Sequence, residues 1–260
     1  KDEWFRHSIS KMASLHFPSC APYAQRLINM GEEPQRIFTV GGLGDENIRF
    51  LKLHDIKVLS RLLKFDFEKS FSLVTYHPQT LGGTSPRAEM QSLLNAIEKY
   101  PRENFVITKS NADAGGSEIN NMIDDFVATH ENAVCFASMG VVNYLSAMKF
   151  AHAVIGNSSS GVVETPSFAV PCVNIGDRQK GRIISDNVIC CSTDEDEIFR
   201  ALKLAFSKEF AVFARKTVSP YDGGRTSEKI VDNIVKYFES DLSKKNKTFH
   251  DLKGVVLDTN

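Results

Sequence analysis

The stretch Val154-Ile-Gly-Asn-Ser-Ser-Ser-Gly-Val-Val-Glu164 contains no cation, yet its residue types are those that hold phosphate. An apolar run leads into a Gly/Ser loop and then into a helical pattern, which aims backbone N–H groups at an anion. Small residues let a diphosphate approach the main chain at Gly161, the hydroxyls of Ser159 and Ser160 add donors, and the start of a helix adds positive potential. Glu164 lies about one turn further on, where a carboxylate accepts from the vicinal hydroxyls of a ribose. An ordinary serine-capped connection fits the same spacing. No lysine follows Gly161, so this is not a Walker loop, and Gly41-Gly-Leu-Gly44 lacks the GxGxxG spacing and reads as a tight turn.

Three further groups have the types and positions for chemistry. Ile175-Gly-Asp-Arg-Gln-Lys-Gly-Arg182 places Arg178, Lys180 and Arg182 in one glycine-bounded loop. His77 follows the apolar run Leu73 to Tyr76, and Pro78 stops that run, which holds an imidazole at its carboxyl end as a general acid or phosphate donor. Asn111 and Asp113 follow Phe105 to Thr108 in the same way. Near the start, Asp2, Glu3, Arg6, His7 and Lys11 crowd two turns of one helix, with the acids spaced to pair with Arg6. Such a run is equally compatible with a solvated face.

These groups need a frame that brings chain segments far apart in sequence to one edge. The runs Leu73 to Tyr76, Phe105 to Thr108, Ala133 to Phe136, Ala153 to Ile155 and Cys172 to Ile175 are short, apolar and bounded by Gly, Pro, Asn or Ser, as buried strands are. Between them, Met90/Leu93/Leu94/Ile97, Ile119/Met122/Ile123/Phe126 and Val142/Leu145/Met148 repeat at helical spacing. Alternation of this kind predicts an α/β fold, a doubly wound parallel sheet with crossover helices, whose strand ends open on one edge. Asn187 to Cys191 reads as a further strand, Thr193 as the cap of a helix over Ile198 to Phe206, and Ile230 to Phe238 as a last amphipathic helix after Gly223 and Gly224. The lysine-rich tail after Ser240 is expected to fray. Residues 1–47 read as a helix through His16, a helix around Tyr23 to Met30 and a strand from Arg36 to Val40. One strand cannot form its own sheet, so these residues are expected to be the last part of an earlier α/β domain, and a chain that opens inside a helix at Lys1 is expected to come from a longer protein.

Composition narrows the classes. Across 260 residues, 31 Lys and Arg against 32 Asp and Glu leave a net charge of −1, which argues against a nucleic-acid binder held by excess positive charge. The apolar runs are strand-sized, far below the roughly 20 residues of a membrane helix, so no membrane partner is expected. Five cysteines without CxxC or Cys/His spacing argue against a disulfide framework and a zinc site, and point to a reducing, cytoplasmic compartment. The acidic run Asp194-Glu-Asp-Glu197 reads as helix capping rather than a metal site.

Taken together, five ordered motifs resemble the hydrolysing UDP-N-acetylglucosamine 2-epimerases of sialic and related nonulosonic acid synthesis. They are Asp2-Glu-Trp-Phe-Arg-His-Ser-Ile-Ser-Lys11, Tyr76-His-Pro-Gln-Thr80, Ser110-Asn-Ala-Asp-Ala-Gly115, Gly156-Asn-Ser-Ser-Ser-Gly161 with Glu164, and Pro171 through Arg182. The resemblance implies a two-domain, glycosyltransferase-B-like fold, with a Rossmann-like nucleotide-sugar domain over 48–240, a remnant of the first domain over 1–47, and a tail over 241–260. It implies loss of UDP from a UDP-N-acetyl sugar to give a 2-acetamidoglucal, then hydration to a free N-acetylmannosamine-type sugar, with no metal or nicotinamide cofactor, in a homo-oligomer. By the same resemblance Ser159, Ser160, Gly161 and Arg178 hold the diphosphate, Glu164 the ribose, His77 the leaving phosphate and Asn111 the sugar, and Asp2 or Glu3 supplies a catalytic carboxylate. Upstream strands that carry further site residues in the family are absent from this sequence, so this segment alone is expected to lack part of the active site; a retaining glycosyltransferase of the same fold and a truncated UDP-sugar-binding module are the alternatives.

Overall fold

The computed structural model describes residues 2–79, 84–111 and 115–252. Their contacts fall into two compact units, Lys1–Arg49 with Tyr221–Asn260, and Phe50–Pro220. In chain order, α1 (Asp2–Met12), α2 (Ala21–Asn29) and α3 (Leu43–Phe50) come first. The second unit runs through α4 (Ile56–Leu63), β1 (Phe71–Thr75), α5 (Pro86–Glu98), β2 (Asn104–Thr108), α6 (Gly116–Thr129), β3 (Ala133–Phe136), α7 (Gly140–Phe150), β4 (Ala153–Gly156), α8 (Ser159–Val163), α9 (Thr165–Phe168), β5 (Cys172–Ile175), β6 (Val188–Cys191), α10 (Glu195–Ala205) and α11 (Lys208–Ala214). The closing helix α12 (Thr226–Glu239) groups with the first unit, so the sheet unit ends at Pro220 and not at the expected residue 240.

The sheet is parallel throughout, in the order β3-β2-β1-β4-β5-β6. That order reverses direction between β1 and β4, the switch point at which open α/β sheets bind ligands. Every residue of β1, β4 and β5 is buried, as expected of strands covered by helices on both faces. Successive β1 side chains enter different cores: Val74 joins Met90, Ile97, Ile119 and Ile198 on one face, while Leu73 joins Leu59, Phe67, Val106 and Met148 on the other. Each such fully buried side chain contributes roughly 1.5–3 kcal/mol relative to exposure. Local signals then set the helix ends. Ser85 caps α5 by accepting from Ala88 N–H, and Asp194, one residue beyond the expected Thr193, caps α10 by accepting from Asp196 and Glu197 N–H.

The first unit departs from its sequence reading. The expected strand Arg36 to Val40 is a short 3₁₀ turn, Pro34–Arg36, followed by an isolated parallel bridge between His16 and Ile37. His16 lies past the end of α1, not inside it. The described part of the tail expected to fray is tied down instead. Lys247 Nζ pairs with the fully buried Glu32 and donates to the carbonyls of Ser10 (3.1 Å), Lys11 (2.9 Å) and Ala13 (2.8 Å), where a cation suits the C-terminus of α1. Glu32 also pairs with Lys11 Nζ and His16 Nε2, each at 2.8 Å. Arg36, 1% exposed, pairs with Glu33 and donates to the carbonyl of Lys245 at 3.1 Å, while His250 N–H donates to Gly31 O at 2.9 Å.

Candidate functional site

The carboxyl ends of β1 and β4 approach so closely that only glycine fits at position 156. Its φ is +131°, and an added Cβ would lie 2.0 Å from Thr75 O. The next residue, Asn157, is fully buried and joins the two strand ends. Its Oδ1 accepts from His77 N–H at 2.8 Å and its Nδ2 donates to His77 O at 2.8 Å, so one carboxamide satisfies both backbone groups of His77. The Asn157 carbonyl in turn accepts from Arg178 Nη1 at 3.3 Å and Gln179 Nε2 at 2.8 Å. His77, the serine loop and the basic loop therefore share one anchor.

The imidazole is oriented as well as placed. Nδ1 of His77 lies 3.3 Å from Asn111 N–H, which can only donate, and 3.3 Å from Ser110 Oγ. In the neutral ring Nδ1 is thus the acceptor and Nε2 carries the proton, the tautomer that a donor to a leaving oxygen requires. Asn120 of α6 fixes the loop behind it, accepting from Ser110 N–H at 2.7 Å and donating to Ser110 O at 3.3 Å. Beneath the strand end, Tyr76 is buried and donates to the buried Glu89 at 2.8 Å. Burial raises the Tyr76 phenol far above its ordinary value, so it stays a donor.

The serine loop is organised by hydroxyls. Ser158 caps α8, accepting from Ser160 N–H at 3.4 Å, and Ser160 Oγ donates to Ser158 Oγ at 3.1 Å. Tyr144 of α7 reaches Ser160 Oγ at 2.7 Å, and burial raises its phenol too, keeping it protonated. Gly161 is buried, with an added Cβ only 3.0 Å from Cys172 Sγ. Ser159 and Glu164 are half-buried, Glu164 at the end of α8, where its N–H donates to Ser160 O at 2.9 Å. Since α8 has five residues, the anion chemistry rests on first-turn N–H groups and hydroxyls rather than on a long dipole.

His77, Asn111, Ser159, Ser160, Gly161, Glu164 and Arg178 thus follow the carboxyl ends of four adjoining strands, β1, β2, β4 and β5, of one unit. Of the basic loop, Lys180 is exposed and pairs with Asp177 at 3.6 Å, so Arg178 is the cation drawn to the shared anchor. Glu3 belongs to α1 in the other unit, exposed and paired with Arg6 at 2.9 Å and His7 at 3.7 Å. Asp113 and the side chain of Asp2 lie outside the described residues. Asn157 and Tyr144 are the positioning groups that the sequence reading missed. Asn157 stood inside a quoted motif, and its two-donor, two-acceptor amide beside a strand-end glycine was the available signal. Among the described residues, no three His, Cys, Asp or Glu side chains cluster as metal ligands, and no helix is long and apolar enough to cross a membrane.

Comparison with known proteins gives a consistent set of relatives. The family described as UDP-N-acetylglucosamine 2-epimerase matches residues 1–235. A GDP/UDP-N,N'-diacetylbacillosamine 2-epimerase (hydrolyzing) of Campylobacter jejuni is 41% identical over 211 residues, covering 80% of this chain and 54% of that protein. A polysialic acid biosynthesis protein of Escherichia coli is 34% identical over 256 residues, covering 98% of this chain and 64% of that one. The chain therefore spans between about half and two thirds of the length of these relatives. In fold, it is similar to a UDP-GlcNAc 2-epimerase from Neisseria meningitidis solved with UDP-GlcNAc, with a TM-score of 0.71, 17% identity, and coverage of 87% of this chain and 62% of that one.

Proposed function

Because the chain belongs to the UDP-N-acetylglucosamine 2-epimerase family, we propose that the protein is a hydrolysing 2-epimerase that converts UDP-GlcNAc, or a close relative such as UDP-N,N'-diacetylbacillosamine, to UDP and a free mannosamine-type sugar. The observation that carries this reading is the convergence of His77, Arg178 and the serine loop on Asn157 at the sheet's switch point. A glycosyl C–O bond breaks more readily when the charge growing on the diphosphate meets donors already in place. The Nε2 proton of His77, the N–H groups and hydroxyls of the serine loop, and Arg178 are such donors. Glu164 takes the ribose hydroxyls and Asn111 contacts the sugar.

In this reading the C2 proton goes to a carboxylate as the C1–O bond breaks, which gives a 2-acetamidoglucal and UDP. Water then adds at C1 and a proton returns to C2 on the opposite face. The family resemblance gives the carboxylate role to Asp2 or Glu3. The reading places the reaction in the cytoplasm, in keeping with five free cysteines. Product analysis of the full-length protein tests it: UDP and free sugar in equal amounts are expected, whereas a glycoconjugate formed only with an acceptor would mark a glycosyltransferase, and binding without turnover a UDP-sugar-binding module.

A further inference from the structure

Gln179 sits between two exposed cations, Arg178 and Lys180, yet is itself only 3% exposed. Its carboxamide is held by one end. Nε2 donates to the Asn157 carbonyl at 2.8 Å, and because a carbonyl only accepts, the amide cannot be flipped without losing that bond. Oε1 is therefore the end of the amide that the anchor leaves over. It is buried and has no hydrogen-bond partner among the described residues. Buried acceptors are normally matched in native proteins, so an oriented one that no described residue matches calls for a further donor.

The location limits what that donor is. The amide is anchored on the residue that precedes the serine loop and that also receives Arg178. Ionised phosphate oxygens only accept, so a phosphate brought against Oε1 gains nothing there. A hydroxyl or amide N–H does. We propose that Gln179 is a specificity-determining residue of the nucleotide-sugar site, whose Oε1 accepts from an O–H or N–H of the sugar nucleotide and lets a loop built for anions distinguish that ligand from bare pyrophosphate. This rests on the functional reading above and adds to it a contact that reads neutral donors.

Calorimetry on the full-length protein with UDP-GlcNAc, UDP and pyrophosphate tests the assignment. Gln179→Met keeps the length and apolar volume of the side chain and removes both polar atoms. Loss of one buried acceptor is expected to weaken UDP-GlcNAc by about tenfold, with pyrophosphate affinity changed less than twofold. UDP then locates the donor: an equal loss places it on the nucleoside, and an unchanged affinity places it on the transferred sugar, each in line with the proposal. An equal loss for UDP-GlcNAc and pyrophosphate would show that Gln179 only anchors the loop, and no loss for either would show that it reads nothing; both overturn the proposal. If a melting curve shows that the Met variant is unfolded, Gln179→Asn, an amide one methylene too short to reach both partners, is read by the same criteria. Wild-type protein that binds pyrophosphate but neither UDP nor UDP-GlcNAc would overturn the functional reading itself, and this inference with it.

Discussion

The sheet edge of one unit and the buried cluster of the other hold their polar groups by different chemistry. At the sheet edge of Phe50–Pro220, His77, Asn157, Ser158, Ser160, Tyr144 and Gln179 are joined by neutral amides, hydroxyls and backbone groups. In the first unit charged groups dominate the buried cluster: Glu32 between Lys11 and Lys247, with the His16 imidazole beside it, and Arg36 against Glu33. A neutral network fixes geometry without answering charge, so the donors at the edge remain suited to an incoming diphosphate. A closed ionic cluster satisfies its own charges, and what it provides is attachment of the C-terminal segment to the end of α1. In the proposed reading one region receives a charge, while the other holds the chain.

The contrast predicts that the largest single effect lies away from the site. Glu32→Ala leaves Lys247, whose side chain is only 17% exposed, without its counter-charge. Removal of one partner from a buried ionic group costs about 3–5 kcal/mol. A fall of that order in the unfolding free energy from denaturant titration is expected, with faster amide exchange in α1 and in residues 245–250. A loss below about 1 kcal/mol, the usual value of an exposed pair, would mean that the cluster is solvated and the contrast false.

At the sheet edge, substitutions are expected to alter rate and affinity while sparing the fold. His77→Ala in the full-length protein should slow UDP release by about 10²-fold or more, the effect of losing one preorganised donor, while hydration of supplied 2-acetamidoglucal stays near wild type. A parallel fall in both rates would remove the leaving-group role. A smaller effect is expected from Glu164→Ala, about tenfold on UDP affinity and less on pyrophosphate, because only the nucleoside carries ribose hydroxyls. Calorimetry showing equal losses would take the ribose from Glu164.

The mildest test uses pH. Burial is the main influence on His16 and pushes its imidazole below the ordinary 6.5, outweighing the attraction of Glu32. For Glu32 burial alone would raise the carboxyl, but Lys11, Lys247 and His16 together hold it below the ordinary 4.5. Below about 6.5 the unfolded chain takes up a proton at His16 that the folded chain refuses, so stability is full above that pH and declines as pH falls. Glu32 adds a loss of the same sign below about 4.5. Denaturant midpoints measured from pH 7 to 5 should therefore drop in the wild type and stay flatter in His16→Gln; equal slopes would contradict a neutral His16.

What the sequence made legible follows the range of the interactions involved. β5 has the bounds that its apolar run suggested, because a strand buried on both faces needs a short continuous apolar segment and little else, and the half-buried edge strand β3 has its expected bounds too. The loops of the candidate site follow from those strands, since chemistry at strand ends needs only the strands to be parallel. Three features were not legible. Ile37, Phe38 and Val40 alternate like a strand, but pairing depends on a neighbour, and only the single bridge to His16 forms. The order of the tail comes from Lys247 meeting Glu32 across 215 positions, which local composition cannot encode. Asn157 was visible as a residue but not as a bridge, because its partners lie 80 positions upstream and about 20 downstream, and only the sheet order brings them together.

In the proposed reaction the protein removes the C2 proton of a UDP-N-acetyl sugar, expels UDP and hydrates the product. Turnover of UDP-GlcNAc by the full-length protein in D₂O, followed by proton NMR, tests it most directly. The account predicts UDP and free N-acetylmannosamine in equal amounts, with deuterium at C2 of the sugar. A released sugar that keeps its C2 hydrogen, or an epimerised sugar still joined to UDP, would contradict it.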